Sequence, residues 1–301
     1  MASNPGGKAF SRAPLHEGEA VGLGWLIRAT IGTKRARALN KVHLSLSGEG
    51  MRTSVLVGVW VAIILLTVLV VGTVWANTIH EQAKVTELWE PVPRVVATTD
   101  NTEPPGDAIV LLGKDGLSPW ASVKGGDAKW DFVDGVMTVV PGTGDIISRE
   151  SFGDIQLHIE WRSPEEVVGE SQGRGNSGVF LMSRYEVQIL DSFENETYPN
   201  GQAASVYKQH IPLVNAARPP GVWQTYDIIF RAPQFTKEGR LRHPATVTVL
   251  HNGVLVQDHV TVQGRTQYVG KPNYKPHGDA PIRLQDHSNP VSFRNIWVRR
   301  L

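Results

Sequence analysis

Residues 54–76 read SVLVGVWVAIILLTVLVVGTVWA, with no charged side chain and no proline. A run of about 20 apolar residues is the length that crosses the roughly 30 Å hydrocarbon core of a bilayer as a helix. A helix buried in a soluble core is rarely apolar on every side over such a length, so the run is read as membrane-spanning. Trp75 stands at the end where an aromatic ring anchors in the interface, and Trp60 lies further in. The flanks set a direction: Arg28, Lys34, Arg35, Arg37, Lys41 and Arg52 precede the run, while Glu81, Glu87 and Glu90 follow it. Basic residues favour the cytoplasmic side, which predicts a cytoplasmic amino terminus and an extracytoplasmic remainder, in a periplasm or at a cell surface. A cleaved signal peptide is the rival reading, because Val74 and Ala76 satisfy the small-residue rule at a cleavage site. The run is longer than the about 7 to 15 apolar residues of a signal core and follows a long leader, which favours an uncleaved anchor.

This single pass divides the 301 residues into a basic leader (1–53), the spanning helix (54–76), a linker (77–107) and a large domain (108–301). Lysine plus arginine against aspartate plus glutamate number 8 and 3 in the leader, 2 and 6 in the linker, and 20 and 20 in the large domain. A neutral domain lacks the basic surface that supplies most nonspecific nucleic-acid affinity, so no nucleic acid is expected as partner. The cluster Lys34, Arg35 and Arg37 is read as the orientation determinant rather than as a lipid or nucleic-acid site. Residues 21–31 carry the pattern of a short interfacial helix, weakened by two glycines. The absence of cysteine excludes disulfides, thiolate metal sites and a thiol nucleophile. Pro91, Pro93, Pro104 and Pro105, among scattered acids, predict an extended, solvated linker.

Beyond residue 107 the texture changes to short alternating runs separated by turn residues, the pattern of an antiparallel β protein. Asp134-Gly135 and Asn252-Gly253 each stand between two strand-like runs and predict two-residue hairpin turns, which need positive φ at both central positions. Further strands are expected in DIQLHIEWR, SGVFLM, YEVQIL, ASVYK, TYDIIFR, APIRLQ and VSFRNIWVR, and a surface loop over residues 163–176. Many short strands without interleaved helices predict two packed antiparallel sheets. Asn195-Glu196-Thr197 has the form of a glycosylation acceptor.

Alternate residues of a strand share a face, so parity identifies polar side chains that lie together. In YEVQIL, Glu186 and Gln188 oppose the apolar set Tyr185, Val187 and Ile189, and so face away from the core. By the same parity His158, Glu160 and Arg162 form one row, and Arg283, Gln285 and His287 another. A concave sheet face carrying such carboxylates, amides and arginines is a natural sugar site, because sugars present dense hydroxyls and flat apolar patches. The outward faces of ordinary sheets are polar as well, and parity alone favours that plain reading. Asp191 can cap a turn before Phe193, Asn295 can bond backbone, and Asn176-Ser177-Gly178 reads as a turn. No Ser-His-Asp arrangement, phosphate-binding glycine loop or zinc-binding histidine pair is visible.

In order, LLGKDGLSPW, KWDFVDGVM, FGDIQLHIEWR, NSGVFL, YEVQILDS, ASVYK, GVWQTYDIIF, HNGVLV, IRLQDH and VSFRNIWVRRL run through nearly all of residues 108–301. This series resembles the 3-keto-disaccharide hydrolase domain family. The resemblance implies a concanavalin A-like antiparallel β-sandwich, or jelly roll, and hydrolysis of glycosides already oxidised to a ketone at carbon 3. Long inserts at 165–175 and 234–244, and an anchor in place of a cleaved signal, depart from the family pattern. By matching positions, the resemblance casts Glu186 or Asp191 as general base and His287 as acid or enolate donor. Glu160, Asn176, Gln188, Tyr207, Gln285 and Arg294 would orient sugar hydroxyls. A divalent cation near Asp191 is compatible with this chemistry, although no ligand set is recognisable from spacing. A sugar 3-dehydrogenase that makes the ketone is implied as a functional partner. The alternative is a lectin-like carbohydrate-binding module of the same fold without catalysis, because fold does not separate the two.

Overall fold

The computed structural model describes residues 48–98 and 103–301. The basic leader before residue 48 and the interfacial helix expected over 21–31 lie outside the described residues. The chain divides at Pro91 into two compact units.

The first unit is one helix, Gly48–Lys84, of 37 residues. Its most apolar 18-residue window has a mean hydropathy of 2.9, and none of that window is buried within the protein. The helix is long and apolar enough to cross a membrane. Its few hydroxyls are satisfied locally: Thr67 Oγ1 donates to the Ile63 carbonyl at 2.7 Å and Thr78 Oγ1 to the Val74 carbonyl at 2.8 Å, which leaves no unbonded hydroxyl on the apolar surface at these positions. Residues 77–84, expected as the start of an extended linker, continue the helix instead. They include the good helix formers Glu81, Gln82, Ala83 and Lys84, with Lys84 ion-paired to Glu81 at 2.8 Å, and the first proline comes only at Pro91.

In the second unit the described residues form two antiparallel sheets and a short ribbon. The large sheet runs Val254–Thr261, Thr246–His251, Gln224–Arg231, Ile155–Arg162, Ser292–Arg300, Val136–Thr138 and Asp131–Val133, with Ile109–Leu112 also paired to Ser292–Arg300. The small sheet runs Trp120–Ser122, Ile146–Phe152, Ala280–Leu284, Ser177–Leu181 and Tyr185–Ile189. The ribbon, Gln234–Phe235 with Leu241–His243, occupies the insert at 234–244. This is the antiparallel β-sandwich that the sequence predicts. Both hairpin turns form as expected, with φ of 51° and 79° at Asp134 and Gly135 and of 54° and 79° at Asn252 and Gly253.

The inward parity of each strand fills the space between the sheets. Trp120, Phe152 and Tyr185 of the small sheet, and Trp161, Tyr226, Phe230 and Phe293 of the large sheet, are fully buried. Burial of a large apolar side chain is worth about 1.5–3 kcal/mol, so this layer dominates the stability of the fold. The sheets are also joined by a hydrogen bond, because the Tyr226 hydroxyl crosses the core to the Gln188 carbonyl at 2.8 Å. ASVYK is not a strand: Ala204 and Lys208 have φ of 64° and 57°, and only Val206 makes bridge pairs, to Val187 and His210. The loop over 163–176 contains one short 3-10 turn, Ser171–Gly173.

Candidate functional site

A cleft of about 600 Å³ opens on the outer face of the small sheet. Two rows expected from parity meet there. Tyr185–Ile189 supplies Glu186 and Gln188, and the end of Ala280–Leu284 leads to Gln285 and His287. The strand between them, Ser177–Leu181, supplies Phe180, and the residue before it is Asn176. Of the nominated residues, Glu186, His287, Asn176, Gln188, Tyr207 and Gln285 all line this cleft.

Glu186 is 5% exposed, and burial pushes its carboxyl up to about 8, against an opposing pull from Arg283. Among the described residues no side-chain donor bonds that carboxyl, whereas its backbone N–H is held by Thr266 Oγ1 at 3.0 Å. Arg283 spends its charge elsewhere, bonding Asp145 at 2.7 Å and lying 3.7 Å above the Phe180 ring centroid. Space for the carboxyl comes from Gly178: a Cβ there would stand 2.7 Å from Glu186 Oε1 and 2.9 Å from Phe180 Cε2. Gln188 donates to Gln172 Oε1 at 3.0 Å, while its own Oε1 is buried with no partner among the described residues. A buried acceptor left open in a cleft is a place for a ligand hydroxyl. Asn176 donates to the Gln172 carbonyl at 2.6 Å and is held at its N–H by Asn289. His287 is exposed at the rim.

Loops supply the residues that parity does not reach: Gln172, Tyr198, Lys208, Thr266 and Tyr268. The Tyr198 and Tyr207 hydroxyls share a 2.7 Å hydrogen bond. The Lys208 ammonium lies 4.2 Å from the Tyr268 ring centroid, 5.6 Å from that of Tyr198 and 5.7 Å from that of Tyr207, and donates to the Tyr268 carbonyl at 2.9 Å. No carboxylate pairs with it among the described residues, and its backbone sits in the left-handed region, pinned by a 2.8 Å bond to the Asn200 carbonyl. The signal available in the sequence is weak: four of six tyrosines fall in segments that the strand pattern leaves as turns or misreads as a strand, and three of the four, Tyr198, Tyr207 and Tyr268, line the cleft.

Three nominated residues lie elsewhere. Glu160 and Arg294 belong to the large sheet, so their row faces the opposite side of the sandwich. There Glu160 bonds Arg294 at 2.6 Å and Asn295 at 2.9 Å, and His158 bonds Asp227 at 2.7 Å and stacks on Trp297. Burial opposes ionisation of Glu160, but the His158 imidazole 3.8 Å away and hydrogen bonds from Asn295 and Arg294 outweigh it and hold the carboxyl at about 2. Burial likewise disfavours the His158 cation, yet Asp227 and Glu160 outweigh it and raise the imidazole to about 9. Parity assigns a face relative to one strand and is silent about which sheet that strand joins. Asp191 lies past the end of its strand, 4% exposed, with Oδ2 bonded by Arg174 at 2.6 Å and Oδ1 by the Phe193 N–H at 3.2 Å. It borders a separate hollow rather than the cleft. The charged partner it already has leaves it unsuited to the role of base, and among the described residues no group of three His, Asp or Glu side chains is placed to hold a metal ion. Asn195 of the acceptor motif is likewise engaged, donating to the carbonyls of Asp191 and Ser171 and accepting the Ser171 N–H.

The model of the 3-keto-alpha-glucoside-1,2-lyase-like domain family matches residues 107–299. A candidate glycosyl hydrolase from Parabacteroides distasonis ATCC 8503, solved at 2.13 Å, is 53% identical, with a TM-score of 0.70 over 72% of this chain and 96% of its own. A second candidate glycosyl hydrolase from the same organism, at 20% identity and a TM-score of 0.44 over 61% of this chain and 89% of its own, is a far more distant likeness. No curated protein matches significantly.

Proposed function

We propose, from the premise that this chain belongs to the 3-keto-alpha-glucoside-1,2-lyase-like domain family and is carbohydrate-active, that its cleft cleaves 3-keto-glycosides by elimination and hydration. The observation that carries the reading is Glu186, a carboxyl raised to about 8 and without a side-chain donor of its own, in a cleft of sugar size. A carbonyl at carbon 3 acidifies the hydrogen on carbon 2, and a carboxylate of raised pKa is a stronger base for that hydrogen than an ordinary one.

In this scheme ionised Glu186 takes the proton from carbon 2, and the electron pair moves into an enolate on the carbon 3 oxygen. The Lys208 ammonium, oriented by three tyrosines, supplies positive charge for that oxygen. Collapse of the enolate expels the substituent at carbon 1, whose oxygen takes a proton from His287 at the rim. Water then adds at carbon 1 and gives its proton to His287, while Glu186, whose carboxyl proton has exchanged with solvent in the interval, protonates carbon 2, so atoms and protons balance as a net hydrolysis. Gln188, Asn176, Gln285 and Tyr207 orient hydroxyls, with the open Gln188 Oε1 accepting one. No step is assigned to a metal, and a sugar 3-dehydrogenase would supply the substrate.

Turnover of a 3-keto-α-glucoside in D2O tests the scheme: early product should carry deuterium at carbon 2, which direct displacement at carbon 1 does not introduce. Saturable binding without any released monosaccharide would make the domain a lectin-like module. The apolar helix would hold the enzyme to the membrane with the domain outside the cytoplasm, consistent with the basic leader and acidic linker.

A further inference from the structure

A further hollow, of about 180 Å³, adjoins the segment 265–268 that also borders the cleft, and its lining includes Arg184, Arg265, Lys275, Gln267, Tyr185 and His277. Three of these side chains are cationic and none is acidic. Among the described residues Arg184, Arg265 and Lys275 form no salt bridge, whereas eight other arginines of the second unit do. The nearby acid Asp279 turns toward Gly153, where an added Cβ would meet Asp279 Oδ1 at 2.7 Å.

The frame around the hollow is closely packed and hydrogen-bonded. Gly264 packs against the Asn273 backbone so closely that a Cβ would stand 2.5 Å from it, and the Arg265 N–H bonds the Asn273 carbonyl at 2.9 Å. Tyr274 ties the same segment to Val262 and Ala245, at 2.7 and 2.9 Å. On the opposite wall the Arg184 guanidinium bonds the Met182 carbonyl at 2.9 Å, and the Thr266 N–H bonds the Arg184 carbonyl at 2.9 Å. Tyr185 Oη and His277 Nε2 are 2.7 Å apart, and His277 Nδ1 faces the Gly278 carbonyl at 2.8 Å. A carbonyl only accepts, so Nδ1 carries the ring hydrogen and Nε2 accepts from the tyrosine. Burial, with Arg184 nearby, keeps that imidazole neutral by lowering its pKa. The hollow is therefore walled by one anchored cation, Arg184, two exposed ones, Arg265 and Lys275, and the amides of Gln267 and Asn273, around a neutral Tyr–His pair and with no salt bridge to any of the three cations among the described residues.

We propose that this hollow is a binding site for one small oxyanion, a phosphate, sulfate or carboxylate group, either free in solution or carried on a glycan. Its volume is below the about 300–1,000 Å³ of ordinary small-molecule pockets, which suits a single charged group rather than a sugar ring. Guanidinium forks and amide donors are the groups that recognise such oxygens. The site also abuts the cleft: along 265–268, Arg265 and Gln267 line the hollow while Thr266 and Tyr268 line the cleft.

The test is calorimetric titration of the full chain in detergent at fixed ionic strength, set by chloride, with inorganic phosphate, with sulfate, and with glucuronic acid against glucose. The comparison variant is Arg265→Gln with Lys275→Gln, both exposed and outside the cleft. Saturable phosphate or sulfate binding, weakened tenfold or more in the variant, supports a site for free anion. Binding of glucuronic acid alone, again weakened tenfold in the variant, supports a glycan-borne group. Absence of saturable binding in every arm, or equal affinity in the variant, overturns the proposal. None of these outcomes depends on whether 3-keto-glycosides are cleaved.

Discussion

Glu186 concentrates the consequences at the scale of one residue. As a base it must be ionised, so the rising limb of kcat/KM should extend with pH to about 8, where the rising limb of an ordinary glutamate would be complete below pH 6. Glu186→Gln should lower kcat by 10²-fold or more, the usual range for a lost general base being about 10²–10⁴. The linkage runs in the opposite sense for stability. A carboxyl raised from 4.5 to about 8 by burial favours the folded state at low pH, and that contribution is lost as pH rises through 8. The Gln variant should therefore gain denaturation midpoint over wild type as pH increases through that window; an equal midpoint at pH 5 and pH 9 would contradict the burial argument. Gly178→Ala presses on both the buried Glu186 carboxyl and the Phe180 ring, and so should cut turnover about tenfold or more and also lower the unfolding midpoint. Parity in the sequence places Glu186 and Gln188 together. It does not reveal that Gln188 is 1% exposed, because the covering turn that includes Gly201 and Ala204 reaches it from outside the strand.

At the scale of elements, the outer face of the large sheet holds a charge network that links Ile155–Arg162, Gln224–Arg231 and Ser292–Arg300 through His158, Glu160, Asp227, Arg294 and Asn295. His158, raised from 6.5 to about 9, contributes stability that is complete below pH 6.5 and fades as pH rises through 9. Glu160, lowered from 4.5 to about 2, contributes stability that is complete above pH 4.5 and fades as pH falls through 2. Denaturant titrations of His158→Gln should lose the part of the alkaline decline between pH 6.5 and 9 that wild type shows; an unchanged slope there would remove His158 from the network. Strand identity was legible because turn residues bound nearly every run and alternation is strict. ASVYK alternates like a strand yet is not one, because its backbone turns left-handed at Ala204 and Lys208, a conformation that side-chain pattern does not encode.

For the whole molecule, the apolar helix makes the prediction. Leu65→Arg with Leu69→Arg places two charges in the most apolar part of the run, each costing about 2.5–3.5 kcal/mol at a helix centre. Wild-type chain should stay with membranes after an alkaline wash and the double variant should be released; retention of both would point to another mode of attachment. The sequence alone determined the membrane-length run, the antiparallel sandwich, its two hairpins and the parity of Glu186 with Gln188, because these follow from local rules: apolar length, positive φ at Asp-Gly and Asn-Gly, and period-two alternation. Only the tertiary structure decided that the His158 and Glu186 rows lie on opposite sheets, that Arg174 claims Asp191, and that tyrosines from separate turns gather around Lys208. Those outcomes depend on which distant segments pair and cover one another, and a chain's local periodicity carries no information about that.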